Sequence, residues 1–178
     1  MAIYENVEKP TSSVGRRRMR MAVLITAAIA TCSLYVWAKT GGGVPYPTGY
    51  RHWTHVRSAL VGPQNPGFAA NGGIHHIYAN EKAMEGYRAG RFPDGSVIVA
   101  DFLETRESEG ITTEGPRRRI DVMVKESKQY AETGGWGFES FRGDSQTDRT
   151  VTAEVEAKCF ACHGKQKERD FVFSAFRK

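Results

Sequence analysis

An uncharged stretch near the N-terminus divides the chain into two parts that suit different environments. The 18 residues from Met21 to Ala38 carry no charged side chain. As a helix they would span roughly 27 Å, close to the ~30 Å hydrocarbon core of a bilayer. Positive charge collects on the cytoplasmic side of a membrane helix, and four arginines precede this stretch: Arg16, Arg17, Arg18 and Arg20. We therefore expect a cytoplasmic segment at 1–20, an inner-membrane helix at 21–38, and the rest of the chain in the periplasm.

A cleaved signal peptide is the alternative for this stretch. Val36-Trp37-Ala38 ends in a small residue, as signal-peptide cleavage sites do. The uncharged stretch is, however, longer than the ~7–15 residues of an ordinary signal-peptide core. Its length therefore favours a retained anchor.

The net charge of +5 also belongs largely to the N-terminal region. Residues 1–38 contribute +3, so the other 140 residues carry only +2 with both signs mixed. A nucleic-acid-binding domain would concentrate basic residues on one face. The charge distribution therefore argues against a nucleic-acid partner.

The remainder of the chain has the pattern of one α+β domain. Gly41-Gly42-Gly43, Pro45 and Pro47 indicate a linker over 39–49, which places the folded domain at 50–178. Alternating apolar residues predict five strands, at 53–61, 73–78, 96–103, 118–124 and 136–141. Such half-buried strands suit an antiparallel sheet with one covered face.

Three segments have the pattern of short helices. Asn80 is a candidate N-cap and Gly90 a candidate stop for a helix at 81–89. A second helix is predicted at 125–133, before Gly134-Gly135, and a third at 152–163 after Thr152. About five strands and these helices predict the α+β class.

One motif carries specific chemistry. Cys159-Phe160-Ala161-Cys162-His163 has the C-x-x-C-H pattern through which c-type haem is attached. Two cysteines three residues apart lie on one side of a helical turn and can form thioethers to the two vinyl groups. The adjacent histidine can then bind the iron. Because the motif occurs once, the sequence predicts a single covalently attached haem c.

Two other interpretations of the cysteine pair fit its position and surroundings less well. A thioredoxin-type redox pair usually opens a helix after a strand, whereas this pair lies near the end of a predicted helix. A structural zinc site would need a second ligand pair, and the His52/His55 and His75/His76 spacings are poor finger patterns. The sixth position of a haem iron stays open, and its candidate ligands are His52, His55, His75, His76, Met84 and Met123.

Several short motifs together resemble the cytochrome P-460 family, which includes cytochrome c′-beta. The similarity covers about residues 50 to 176. It rests on Tyr50-Arg51-x-Trp53, Phe92-Pro93-Asp94-Gly95-Ser96, Val124-Lys125-x-Ser127-Lys128, Gly135-Trp136-Gly137-Phe138 and Asp170-Phe171-Val172-Phe173. The resemblance implies a five-stranded antiparallel sheet, often a homodimer, and a five-coordinate haem with histidine on one side only.

The resemblance also implies two activities. Some members oxidise hydroxylamine with a haem cross-linked to a lysine, and others bind nitric oxide at a haem without the cross-link. The resemblance places the cross-linking lysine shortly before the F-P-D-G turn, where residues 86–91 contain none and Lys82 lies too early. The expected function is therefore that of a membrane-tethered periplasmic cytochrome that binds nitric oxide or a related nitrogen species.

The remaining site residues are expectations within that function. Phe68 and Phe102 are candidates for an apolar wall that favours neutral diatomic ligands, and Arg51 is a candidate partner of a haem propionate. A hydroxylamine or nitric oxide oxidoreductase is one alternative. It would need a proton acceptor, for which Glu104, Glu107, Glu109 and Glu114 are candidates. An electron-transfer or accessory subunit of a respiratory or photosynthetic membrane complex is the other, and either would need a redox partner protein.

Overall fold

The computed structural model describes residues 43–177. Its centre is a five-stranded antiparallel sheet whose strands follow each other in chain order. The strands are β1 (Thr54–Val61), β2 (Gly73–Ala79), β3 (Val97–Ser108), β4 (Ile111–Lys125) and β5 (Trp136–Arg142). The α+β class and the five-stranded antiparallel sheet are thus confirmed.

Within residues 43–177, three α-helices accompany the sheet: α1 (Phe68–Asn71), α2 (Glu81–Ala89) and α3 (Ala153–His163). Helix α2 begins and ends as predicted, because the Asn80 side chain accepts a hydrogen bond from Ala83 N and Gly90 adopts a left-handed φ of 79°. Thr152 caps α3 through Val155 N. Short 3₁₀ turns occur at Tyr50–His52, Ala131–Thr133 and Gly164–Arg169.

The predicted membrane segment at 21–38 lies outside the described residues. Within residues 43–177, none of the helices has the length and apolar character needed to cross a bilayer.

The expectation of one covered sheet face is wrong for the central strands. Val97 and Val99 point to one side of β3 and pack with Tyr50, while Ile98 points to the other side and packs with Met84. The N-terminal segment covers the first side, and α2, α3 and the C-terminal segment cover the second. Alternation in the sequence separates the two faces but cannot show that both are buried.

Two boundaries also differ from the prediction. The helix expected at 125–133 is absent: β4 continues to Lys125, and Asp94 then accepts hydrogen bonds from the backbone and hydroxyl of Ser127. Strands β3 and β4 extend beyond the predicted ends and pair as far as Ser108 and Ile111. This extension is charged and exposed, so it lacks the apolar alternation on which the strand prediction depended.

The folded part begins before Tyr50. Val44 is buried in the core with Phe141, and its carbonyl accepts a hydrogen bond of 2.6 Å from Arg149 Nη1. The segment expected to be linker up to residue 49 therefore packs, from Val44 onwards, against the sheet.

Candidate functional site

The C-x-x-C-H motif occupies the last turn of α3. Cys159 is half-buried, Cys162 is exposed, and both thiols are free. Burial raises the pKa of the Cys159 thiol. A redox-active pair of the thioredoxin type instead has a lowered thiol pKa and lies at the start of a helix. The position and the raised pKa of Cys159 argue against that alternative.

His163 is held in a defined tautomer. Its Nδ1 donates a hydrogen bond of 2.7 Å to the carbonyl oxygen of Phe171. A carbonyl can only accept, so the proton is on Nδ1 and Nε2 keeps its lone pair. The rings of Phe138 and Phe173 lie 5.1 and 5.0 Å from the imidazole. Burial among these groups lowers the pKa of His163, which favours the neutral form that metals bind.

A cavity of about 710 Å³ lies between α3 and one face of the sheet. This size is within the ~300–1,000 Å³ of small-molecule and cofactor sites. Cys159, Cys162 and His163 all line it. The three functional groups of the motif therefore face one common space.

Three transverse rows of the sheet form the wall opposite the helix. Strand register aligns one residue from each strand in the middle row: Arg57, Ile77, Ala100, Asp121 and Ser140. The outer row contains Ala59, His75, Phe102 and Arg119, and the inner row contains Ile98, Met123 and Phe138. Outer and inner rows are four residues apart on β3, or about 13 Å. That separation leaves room for a flat ring system between them.

The outer row carries a stacked arrangement of charged and aromatic groups. The Arg119 guanidinium lies 3.8 Å from the centre of the Phe102 ring, and the His75 ring lies 4.1 Å from it on centroids. Arg119 Nε also donates to both carboxylate oxygens of Asp121 at 2.9 Å. A paired carboxylate therefore stands in a wall that is otherwise mostly apolar.

One polar atom of the wall has no partner within the described residues. The Ser140 side chain is 8% exposed, and its hydroxyl makes no hydrogen bond to residues 43–177. A buried polar group normally finds a partner. A ligand in the cavity would offer one.

The predicted wall and propionate residues divide into two groups. Phe102 lines the cavity. Phe68 is 41% exposed on α1 and is not part of the wall. Arg51 lies on the opposite sheet face, where it donates to the buried Asp101 at 3.0 Å, so the structure does not bring it to the cavity. Tyr50 and Arg51 instead donate hydrogen bonds to Asp101 on that opposite face. The arginines that line the cavity are Arg57 and Arg119.

Of the six residues predicted as possible sixth ligands of the iron, two line the cavity. His75 and Met123 line the cavity, whereas Met84, a residue of α2, is buried in the core. His55 and His76 lie on the other sheet face, joined through the Ser58 hydroxyl at 3.0 and 2.7 Å. His52 is exposed in the 3₁₀ turn that starts the domain.

The sequence analysis selected neither of the two carboxylates that line the described part of the cavity, Glu139 and Asp121. The predicted proton acceptors lie on the exposed extension of β3 and β4 or in the turn that joins these strands, and are not part of the cavity wall: Glu104, Glu107, Glu109 and Glu114. Asp121 lines the cavity instead. Its alternation with Ile120 and Val122 did indicate a separate face, but not that this face was the functional one.

These residues fit a covalently attached haem. The two thiols and the His163 Nε2 face a cavity of suitable volume, its wall is largely apolar, and the orphaned Ser140 hydroxyl indicates an absent partner. His163 would bind the iron through Nε2, and Cys159 and Cys162 would form the thioethers.

Comparison with known proteins agrees with this chemistry. The Cytochrome P460 family pattern matches residues 47–174, which is most of the chain. No curated protein gives a significant match to the sequence. The match includes all five strands, the cavity wall and the C-x-x-C-H helix, and the family implies a haem cofactor. The chain is therefore a member of the cytochrome P460 family.

Proposed function

We propose that the protein is a monohaem c-type cytochrome that binds nitric oxide or a related small nitrogen species. The observation that carries this proposal is the arrangement of His163, whose Nδ1 is bonded to Phe171 O while Nε2 faces a large, mostly apolar cavity beside two free thiols. When bound, haem supplies an iron centre that takes small ligands and exchanges electrons.

The wall on the far side of the cavity favours a five-coordinate iron. His75 Nε2 donates 2.6 Å to the carbonyl of Asn71, which leaves only Nδ1 with a lone pair and holds the ring against Phe102, 4.1 Å away on centroids. Met123 is in the inner row beside Phe138, whose ring contacts His163, and so lies on the same side as the histidine ligand. The open position would then face Phe102.

An open coordination position of the iron that faces an aromatic ring would select ligands by their polarity. Phe102 is 8% exposed and is covered by His75 and Arg119 on its two sides. Neutral diatomic molecules need no hydrogen-bond donor on entry, whereas small anions lose solvation. Neutral diatomic ligands, of which nitric oxide is one, are therefore the class that this aromatic part of the wall favours.

The test is a ligand series on the purified protein, produced with its haem attached. We expect covalent haem to survive denaturation, a five-coordinate ferrous spectrum, and a large spectral change with nitric oxide but little with azide. The double substitution Cys159→Ala/Cys162→Ala should remove covalent haem. A low-spin, six-coordinate ferrous protein that ignores nitric oxide would instead support the electron-transfer subunit.

Hydroxylamine oxidation is a second candidate because Asp121 stands in the cavity wall. Its carboxylate is partly exposed and lies beside Arg119 of the outer row, where such an activity would need a proton acceptor. No lysine lines the described part of the cavity, which leaves a lysine cross-link to haem without a donor. Mass spectrometry of tryptic haem peptides would reveal any such cross-link, and a strongly red-shifted ferrous band would favour this activity.

The cellular setting is proposed from the sequence. Arginines before the uncharged stretch at 21–38 support an N-terminal inner-membrane anchor with the haem domain in the periplasm, where it would meet a redox partner protein. A homodimer is proposed from the family resemblance alone. Membrane fractionation with protease treatment of spheroplasts tests the anchor, and it fails if the mature protein is soluble and lacks residues 1–38.

A further inference from the structure

We propose that Asp170 is a positioning residue for the iron ligand His163. It would act through the neighbouring Phe171 carbonyl and set the strength of the histidine–iron bond. This inference rests on the proposed function, since it assumes that His163 binds a haem iron. Asp170 itself is 7% exposed and does not line the cavity.

The first step is the contact between the ligand and the chain. His163 Nδ1 donates 2.7 Å to Phe171 O, which lies eight residues later. The hydrogen bond on the second ring nitrogen orients a ligating imidazole and raises its basicity. The direction and distance of the Phe171 carbonyl therefore control how strongly Nε2 donates to a metal.

The second step is the backbone that presents this carbonyl. Asp170 and Phe171 have φ values of 51° and 66°, a left-handed region that residues other than glycine rarely adopt. Such conformations persist only where the surrounding structure holds them, and they cluster at functional sites. Two consecutive left-handed residues next to the histidine partner therefore need an explanation in their contacts.

The third step is the set of contacts that hold Asp170. Its carboxylate accepts from Lys125 Nζ at 2.7 Å and from Phe92 N at 2.8 Å. Its carbonyl accepts from Trp136 Nε1 at 2.9 Å. The C-terminal segment is thus fastened to the turn before β3, the end of β4 and the start of β5.

These contacts connect four of the motifs that the sequence analysis singled out. Each of the four residues belongs to a different motif, and Phe92, Lys125 and Trp136 lie 78, 45 and 34 residues before Asp170. None of the four lines the cavity beside the described thiols. They meet at the residue before the carbonyl that holds His163, which gives the motifs one shared role.

The Lys125 ammonium makes the arrangement rigid. It is 9% exposed, donates to Gly134 O at 3.0 Å, and lies 5.0 Å from the Trp136 ring centre. A buried ion pair is seldom the most stabilising choice, because both charges lose hydration. Its directional bonds do fix the Asp170 carboxylate and, through it, the orientation of the next peptide group.

A purely structural role for the ion pair predicts a different outcome. In that case its loss would lower stability and leave the iron ligand unchanged. Asp101→Asn is the matched control, because Asp101 is also a fully buried carboxylate held by several donors, but it lies on the sheet face away from the cavity.

The experiment compares wild type with Asp170→Asn, Lys125→Met and Asp101→Asn in the haem-loaded protein. Resonance Raman spectra of the ferrous state give the iron–histidine stretching frequency, and redox titration gives the midpoint potential. We expect the first two variants to lower the frequency and raise the potential, because a weaker bond to Phe171 makes His163 a poorer donor. Asp101→Asn should lose stability but keep both values.

The possible outcomes distinguish the positioning role of Asp170 from the proposed function on which it rests. If Asp170→Asn does not fold, Lys125→Met and the charge-retaining Lys125→Arg decide the question, since Lys125→Arg should stay closer to wild type. Unchanged frequency and potential in folded Asp170→Asn or Lys125→Met overturn the positioning role and leave the proposed function intact. Wild-type protein without covalent haem, or with an iron that lacks histidine, overturns both.

Discussion

Asp101 offers the sharpest test of how the N-terminal segment is held on the sheet. Its carboxylate is fully buried and accepts hydrogen bonds from Tyr50 Oη at 2.6 Å, Arg51 Nη2 at 3.0 Å and Arg117 Nε at 2.7 Å. Replacing Asp101 by Asn keeps the volume of the side chain but removes the charge. The two arginines then lose their buried counter-charge, and we expect the domain to become less stable.

The size of the loss follows from the exposure of the partners. Removing one member of a buried ion pair costs about 3–5 kcal/mol. Arg51 is 46% exposed and can be hydrated, and Arg117 keeps Asp144 as a partner, so the lower end applies. We expect a decrease of about 3 kcal/mol in the free energy of unfolding, or about 10 °C in the unfolding midpoint for a domain of this size.

The direction in which this stability contribution changes with pH follows from the pKa of Asp101. Burial raises the pKa of Asp101, but hydrogen bonds from Arg117, Tyr50 and Arg51 outweigh burial and hold the pKa below its ordinary value. The carboxylate therefore contributes its full stability above the ordinary Asp pKa of about 4, and this contribution is lost as the pH falls through the lower folded pKa. The gap between wild type and Asp101→Asn should be constant from pH 7 to 5 and shrink below about pH 4.

Urea unfolding at a series of pH values measures this gap. The exposed Arg142–Asp148 pair supplies the control, and Asp148→Asn should change the free energy of unfolding by less than about 0.5 kcal/mol. A gap for Asp101→Asn below about 1 kcal/mol at pH 7, or one that persists undiminished at low pH, would refute the assignment of stability to the buried charge.

Three further substitutions probe the fold and the cavity. Asn80→Ala should cost about 2 kcal/mol in urea unfolding, because the side chain accepts from both Ala83 N and Val97 N; a loss below 0.5 kcal/mol would contradict this. Gly86→Ala should lower the unfolding midpoint, since its Cβ would lie 2.3 Å from the Phe92 ring; an unchanged midpoint would show that the turn adapts. His75→Ala should keep a five-coordinate ferrous spectrum, and any loss of a low-spin band would show that His75 binds the iron.

Local patterns in the sequence were sufficient for the five strands and for helices α2 and α3, but not for every element. Asn80 and Gly90 have the side-chain and backbone chemistry of helix ends, so both ends of α2 could be predicted. The helix expected at 125–133 failed because Asp94 and the ladder partner Trp136 decide that region from a distance. Propensity within a window contains no information on such partners.

The site depended on strand register, which the sequence does not contain. Alternation places Phe102 and Ala100 on one face of β3, but it does not say which face meets α3. Arg51 was selected because it stands at a recognisable motif, whereas Arg57 and Asp121 enter the cavity wall because β1 and β4 pair in one particular register. A shift by a single residue would exchange the two sets.

The same limit explains why the motifs could be recognised before their role could. Lys125 and Asp170 were noticed as parts of separate short patterns, with no sign that their side chains form a buried pair at 2.7 Å. In a chain with mixed charges, a lysine and an aspartate 45 residues apart have many other possible partners. Only the fold brings them together beside the carbonyl of Phe171, and only there does this ion pair become connected to His163, the proposed iron ligand.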